Sequence, residues 1–259
     1  VSIPIVNLDS SQVIDIAKKA GDAIMEIYKR DFEICEKSDN SPLTEADLAS
    51  HKVIVECLRE LTPDLPILSE ESSQEEIKNR INWQTYWLID PLDGTKEFIK
   101  KNGEFTVNIA LIHQNKTIFG VVDAPALKAT YWGGKSIGSY KVDNGIEKPV
   151  IIARKKCKID DMKIVGSRSH QSEEFIDFVA DYPGAEIVSM GSSLKLCLVA
   201  DGSADLYPRL GLTSEWDTAA AQAVVEGAGG SVVSFEDNVP LSYNAKQDTF
   251  LNPYFLVSN

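Results

Sequence analysis

The apolar residues Val13, Ile16, Ala17, Ala20, Ile24 and Ile27 recur at three- and four-residue intervals, which predicts an amphipathic helix capped at Ser10 or Ser11. A second helix is predicted from Thr44, with Leu48, Val53, Ile54, Cys57, Leu58 and Leu61 on its apolar face and Thr62 and Pro63 ending it. The period then shortens. Residues 65–68 read as a strand that stops at Ser69 and Glu70, and residues 86–89 (YWLI) as an interior strand, because no polar residue alternates along it. The polar stretch 74–84 between them reads as a loop or short helix. Residues 105–112 and 117–122 are strands joined around Asn115, the pattern of an antiparallel hairpin.

Residues 141–149 (KVDNGIEKP) are polar and turn-rich, and mark a boundary between two halves, 1–145 and 146–259. Beyond it the elements alternate. Strands at 163–166, 186–190 and 204–207 are interleaved with helices at 173–180, 192–199 and 218–226, the alternation of an α/β layer. Gly229 and Gly230 end the last helix. There is no internal repeat and no low-complexity tract.

Composition narrows the function classes. The 259 residues, 43% hydrophobic and 25% charged, suffice for a sizeable core in one large or two modest domains. With 39 acidic and 26 basic residues the net charge is −13, which repels polyanions and argues against a nucleic-acid or anionic-membrane binder. Cys35, Cys57, Cys157 and Cys197 are widely spaced with no CxxC pair, against a zinc site or disulfide framework and in favour of a reducing cytoplasm. The first residues, VSIPIVNLDSSQ, lack the basic and apolar regions of an export signal, and no apolar run approaches the roughly 20 residues of a membrane span.

The candidate chemistry is carried by acids at the ends of elements: Asp47 at a helix start, Glu70 after one strand, Asp90 and Asp93 after another, and Asp217 opening the last helix. Singly, Asp47 can complete a capping box with Thr44, and Asp217 can be an N-cap. Asp90 has no such role, since an apolar strand and turn need no acid beside Trp87 and Ile89. Converging carboxylates repel one another unless hard divalent cations such as Mg²⁺, which take oxygen ligands, neutralise them. The pattern therefore predicts a metal-assisted phosphoryl site. Pro91 fixes the backbone after the strand, Gly94 lets the main chain approach a ligand, and Gly94 and Thr95 open a helix whose free N–H groups favour phosphate. The Thr95 hydroxyl can orient water. Phosphatases with a nucleophilic aspartate in an Asp-x-Asp-x-Thr turn are excluded by spacing, because Pro91 and Leu92 both stand between the acids here.

The turn DPLDGT (90–95), with EES (70–72) before it and WDTAA (216–220) after it, resembles the lithium-sensitive, magnesium-dependent inositol monophosphatase superfamily, in order and along the whole chain. Within it, NSPLT (40–44), KNGEFTVNIA (101–110), SRSH (167–170), GSSLK (191–195) and LYPR (206–209) are similar to the CysQ-type 3'(2'),5'-bisphosphate nucleotidases. The resemblance implies a layered α/β/α/β/α fold: an α+β N-terminal half with a mostly antiparallel sheet carrying the turn, and an α/β C-terminal half carrying Asp217 and the nucleotide-recognition residues. It implies hydrolysis of adenosine 3',5'-bisphosphate to AMP and phosphate, and of 3'-phosphoadenylyl sulfate to adenylyl sulfate, recycling a by-product of sulfur assimilation.

By the same resemblance, Glu70, Asp90, the Leu92 carbonyl, Asp93 and Asp217 would bind two or three Mg²⁺ ions in the manner of two-metal hydrolases. Thr95 with Glu70 would orient and deprotonate the attacking water, supported by Asp47. Gly94 and Thr95, beside Asp93 and Asp217, would hold the scissile phosphate. Ser192, Lys195 and Arg209 would read the second phosphate, and His170 would line the adenosine side. The implied partner is a small nucleotide bisphosphate, with no nucleic-acid polymer and no integral membrane segment. The implied location is the cytoplasm, with the cytoplasmic face of the inner membrane as an alternative. Competing expectations are a phosphatase of the same superfamily acting on inositol monophosphate or fructose 1,6-bisphosphate, and a non-catalytic, metal-dependent nucleotide sensor.

Overall fold

The computed structural model describes residues 2–3, 6–36, 42–150, 161–168 and 172–259. Two short pairings frame the first helices, β1 (Ser2–Ile3) with β2 (Leu8–Asp9), and β3 (Ile34–Glu36) with β4 (Pro42–Thr44). Helix α1 (Ser10–Tyr28) is capped by Asp9, which accepts the Ser11 N–H at 3.1 Å, one residue ahead of the expected caps. Helix α2 (Glu45–Leu61) has the expected capping box, with the Thr44 N–H donating to Asp47 at 2.8 Å. Leu48 departs from the predicted apolar face. The buried positions Ala46, Ser50, Ile54 and Leu58 follow a four-residue spacing, which turns Leu48 outward and leaves it 51% exposed.

A seven-stranded sheet comprises β5 (Ile67–Ser69), β6 (Thr85–Asp93), β7 (Thr106–His113), β8 (Lys116–Ala124), β9 (Ala129–Gly134), β10 (Gly138–Asp143) and β11 (Ile146–Val150), with α3 (Thr95–Ile99) between β6 and β7. The strands lie in sequence order and are antiparallel except for the parallel β5–β6 pair. On β6, Tyr86 and Leu88 enter one core while Trp87 and Ile89 enter another. Both faces of the strand are covered, so no polar alternation marks it in the sequence. The polar stretch 141–149, read as the boundary between the halves, lies within the first sheet. It folds as the β10–β11 hairpin around Asn144 and Gly145, both at positive φ, as a two-residue Asn-Gly hairpin turn requires. The chain leaves this sheet after Val150, so residues 146–150 stay with the first sheet.

The second sheet is built from β12 (Lys163–Ser167), β13 (Glu186–Met190), β14 (Leu206–Arg209), β15 (Ser231–Ser234) and β16 (Phe255–Ser258), in the order β13-β12-β14-β16-β15. Strand β12 runs parallel to β13 and β14, and β16 runs antiparallel to β14 and β15. Three helices accompany it: α4 (Glu173–Ala180), α5 (Leu194–Ala200) and α6 (Glu215–Ala228). Helices α1 and α2 cover one face of the first sheet; α5 and α6 fill the space between the two sheets; α4 covers the far face of the second. This is the expected α/β/α/β/α layering. The middle layer sits close because small residues meet: a Cβ on Gly120 of β8 would lie 2.2 Å from the Ala220 carbonyl of α6. Among the described residues, no helix is long and apolar enough to cross a membrane.

Candidate active site

Asp90 stands two residues beyond Leu88 on β6, so strand alternation aims it at the α5–α6 layer. An unbroken strand would turn Asp93 to the opposite face. Instead, Asp90 pairs with Asn108 and Asp93 with Thr106, so three steps on β6 answer two on β7, and the bulge brings both acids to the same side. Pro91 and Leu92 form the bulge, held by Ser50 Oγ donating to the Pro91 carbonyl at 2.6 Å and the Leu92 N–H donating to Asp90 at 3.0 Å. Strand β6 therefore runs through the whole predicted turn to Asp93 instead of stopping at Ile89. Gly94 follows at φ 91°, where a Cβ would lie 3.0 Å from the Glu104 carbonyl and 3.3 Å from Ser192 Cβ. A side chain there would be strained by the left-handed conformation and crowded by these neighbours.

Asp217 arrives from α6. Ser214, not Asp217, is the N-cap, and Asp217 occupies the third helical position, where it accepts the Ser214 N–H at 2.8 Å. Its carboxylate and those of Asp90 and Asp93 each place an oxygen within 4.8 Å of the others. Glu70 follows β5, where Ser69 pairs with Ile89, so it stands level with Asp90 and shares a hydrogen bond with its carboxyl. The Thr95 hydroxyl, at the start of α3, reaches Asp47 Oδ1 at 3.3 Å and the Leu92 carbonyl at 3.4 Å.

Packing these acids together has an electrostatic cost. Burial, followed by the charges of Glu70, Asp93 and Asp217, drives the Asp90 carboxyl well above the usual range. Burial and the charges of Asp93 and Glu70 push Asp217 up to about 8. Asp93 is also raised by burial, but Lys195 and the Ser193 N–H pull it back. An all-carboxylate oxygen set under this strain suits a divalent cation, whose charge reverses the penalty.

Two cations stand beside Asp93 and Asp217. Lys195 and Arg209 line, with Asp93, Asp217, Ser192, Ser193 and Thr213, a cavity of about 70 Å³, room for roughly two waters. Lys195 Nζ donates to the Ser192 carbonyl at 2.6 Å; burial lowers its pKa while Asp93 supports its charge. Arg209 donates from Nε to Thr213 Oγ1 at 2.6 Å and from Nη2 to the Leu212 carbonyl at 2.7 Å. Ser192 is not in the predicted helix: its φ is 46°, and α5 begins at Leu194 with Ser193 as its cap. A roomier cavity of about 650 Å³, lined by Lys116, Gln222 and Leu241 among others, contains none of the carboxylates. The chemistry therefore locates the site in the smaller one.

Of the sequence-derived residues, Asp47, Glu70, Asp90, Leu92, Asp93, Gly94, Thr95, Ser192, Lys195, Arg209 and Asp217 meet around this centre, and His170 lies outside the described residues. Sequence reasoning gave no role to Asn108 and Ser193. The Ser193 N–H donates to Asp93, and its hydroxyl donates to Asn108 Oδ1 at 2.8 Å and contacts Thr106 Oγ1 at 2.8 Å. Asn108 Nδ2, from β7, also donates to Asp93 Oδ2 at 3.5 Å, so Asp93 is held by a neighbour in its own sheet and by Ser193 from the second half of the chain. Both lie inside stretches that the sequence singled out, KNGEFTVNIA and GSSLK, which was the only available signal.

The profile described as the inositol monophosphatase family matches residues 9–259, and the chain belongs to that family. Within it, the chain is similar to the 3'(2'),5'-bisphosphate nucleotidases CysQ of Salmonella typhimurium and Escherichia coli K12, each 47% identical over 249 residues, 95% of this chain and 98% of theirs. Among solved structures it is similar to CysQ from Bacteroides thetaiotaomicron, described as a bacterial member of the inositol monophosphatase family. That likeness has a TM-score of 0.84, 41% identity and 96% coverage of each chain.

Proposed function

We propose that this protein is a magnesium-dependent 3'(2'),5'-bisphosphate nucleotidase that hydrolyses adenosine 3',5'-bisphosphate to AMP and phosphate, and 3'-phosphoadenylyl sulfate to adenylyl sulfate. The observation that carries this reading is the meeting of Asp90, Asp93 and Asp217, two of which, Asp93 and Asp217, line one cavity with the cations Lys195 and Arg209. The likeness to CysQ proteins along 95% of the chain supports the substrate class.

Asp90, Asp93 and Asp217, with Glu70 and the Leu92 carbonyl, would hold magnesium, which would supply Lewis acidity toward the phosphate and lower the pKa of the attacking water. Thr95 orients that water. Its hydroxyl lies 3.3 Å from Asp47 Oδ1, so as Thr95 takes a proton from the water its own hydroxyl proton has a carboxylate acceptor on α2, and Glu70 would assist at the water itself. The main-chain N–H groups of Gly94 and Thr95, at the start of α3, hold phosphate oxygens. Lys195 and Arg209 are already fastened by Ser192, Leu212 and Thr213, so they meet the remote phosphate with little reorganisation. His170 would face the nucleoside. We further propose a cytoplasmic location, with peripheral association on the cytoplasmic face of the inner membrane as the alternative that cell fractionation tests.

The test is phosphate release from adenosine 3',5'-bisphosphate, inositol monophosphate and fructose 1,6-bisphosphate, in magnesium and in excess chelator. The proposal expects the nucleotide to be preferred and chelator to abolish turnover. A preference for either sugar phosphate, or stoichiometric nucleotide binding without phosphate release, would overturn it.

A further inference from the structure

Asp90 and Asp93 belong to β6, and Glu70, directly after β5, donates its N–H to the Ile89 carbonyl at 3.2 Å, so backbone hydrogen bonds of the first sheet set their mutual positions. Asp217 belongs to a helix from the other half of the chain and needs another device to meet them. Arg80, 5% exposed, lies in the segment between β5 and β6. Its Nη1 donates to Asn244 Oδ1, its Nη2 donates to the carbonyls of Lys246 and Gln247 at 2.8 Å each, and its guanidinium lies 4.1 Å from the centre of the Phe250 ring. Asn244 returns a bond from Nδ2 to the Arg80 carbonyl and donates its own N–H to Glu215 Oε2 at 2.7 Å.

Glu215 is the first residue of α6, two places before Asp217, and is 2% exposed. Its N–H donates to the Phe250 carbonyl at 2.8 Å, and Asn252 Nδ2 donates to the Ser214 carbonyl at 2.9 Å and to Thr218 Oγ1 at 3.0 Å. Residues 244–252 thus wrap the first turn of α6. Arg80 fastens that wrap to the connection that runs from Glu70, at the end of β5, to β6, which bears Asp90.

We propose that Arg80, acting through Asn244 and Glu215, is a positioning residue that holds the first turn of α6 where Asp217 meets Asp90 and Asp93. The inference rests on the metal reading given above. Its physical basis is the planar guanidinium fork, which engages three fixed acceptors and an aromatic face at once, whereas the single ammonium of lysine cannot hold that geometry. Groups that orient metal ligands change metal affinity roughly 10–100-fold when removed. A purely structural arginine would change stability and leave the affinity of the folded protein alone.

The test is calorimetric Mg²⁺ titration of the full chain and of Arg80→Ala and Arg80→Lys, with circular dichroism to confirm folding and kcat measured at saturating Mg²⁺. The expected result is Mg²⁺ binding weakened on the order of tenfold in Arg80→Ala and at least about threefold in Arg80→Lys. Excess Mg²⁺ should restore most of the lost kcat. Should Arg80→Ala not fold, Arg80→Lys decides alone. Folded variants whose Mg²⁺ affinity matches the unsubstituted protein would overturn the inference while leaving the metal reading intact. An unsubstituted protein that binds no Mg²⁺ would sink both.

Discussion

Asp217→Asn separates what the carboxylates do to the fold from what they do for a cation. In the folded protein without metal, the Asp217 carboxyl is pushed up to about 8 by burial and by the charges of Asp93 and Glu70. An unfolded chain releases that proton near pH 3.9. The sign follows. The contribution of this carboxyl to stability is fully present below about pH 4 and is lost as the pH rises toward 8. At pH 7 the gap of some three pH units corresponds to about 4 kcal/mol; the opening of Asp217 onto the cavity, and the sharing of the strain with Asp90 and Asp93, reduce this to about 2–4 kcal/mol. Asparagine removes the charge but still accepts the Ser214 N–H, so the helix cap survives. Urea unfolding followed by circular dichroism, at pH 4 and pH 7 and in EDTA or Mg²⁺, reads the effect. In EDTA the variant should be more stable at pH 7 by about 2–4 kcal/mol and nearly equal at pH 4. In Mg²⁺ at a hundredfold excess over its Kd, the unsubstituted protein should gain about 2.7 kcal/mol, while the variant gains little and is inactive. A variant less stable than the unsubstituted protein in EDTA at pH 7 would refute the reasoning, since the protein alone would then be satisfying the carboxylate.

Thr95→Ala should lower kcat far more than it raises KM, because the hydroxyl acts on the water while main-chain N–H groups hold phosphate; steady-state kinetics showing equal losses in both would make Thr95 a binding residue. Lys195→Ala and Arg209→Ala should each reduce kcat/KM for adenosine 3',5'-bisphosphate roughly ten- to hundredfold, equivalent to about 1.5–3 kcal/mol, with a much smaller loss for inositol monophosphate. Parallel assays that give the same proportional loss on both substrates would deny them a role in specificity. Asp123 is raised to about 6 by burial, partly offset by the Thr130 hydroxyl, so its contribution to stability is present below about pH 4 and lost as the pH passes 6. Asp123→Asn should therefore gain about 1–3 kcal/mol at pH 8 and almost nothing at pH 4 in urea unfolding; equal gains at both pH values would exclude titration as the cause.

Helices α1 and α2, the β7–β8 hairpin and the alternation of the second half were legible in the sequence because each is a local period, 3.6 or 2, written by residues that share a face. The acids were legible too. Asp90 stood out because an apolar strand has no use for a carboxylate, and Asp93, Gly94 and Thr95 followed it in one short turn. Local pattern failed where a partner distant in sequence decides. The Asn144-Gly145 turn reads equally well as a linker or a hairpin until β10 and β11 pair. The exposure of Leu48 depends on which face of α2 meets the sheet. The bulge that puts Asp90 and Asp93 on one side exists only because β7 offers Asn108 and Thr106 as their partners. Asp217 joins them through contacts the sequence does not signal, since Arg80 and Asn244 lie 164 residues apart and neither belongs to a motif. Periodicity records how each segment folds against water, but the meeting of segments is fixed by packing and by buried polar groups finding partners, and those choices are made only in three dimensions.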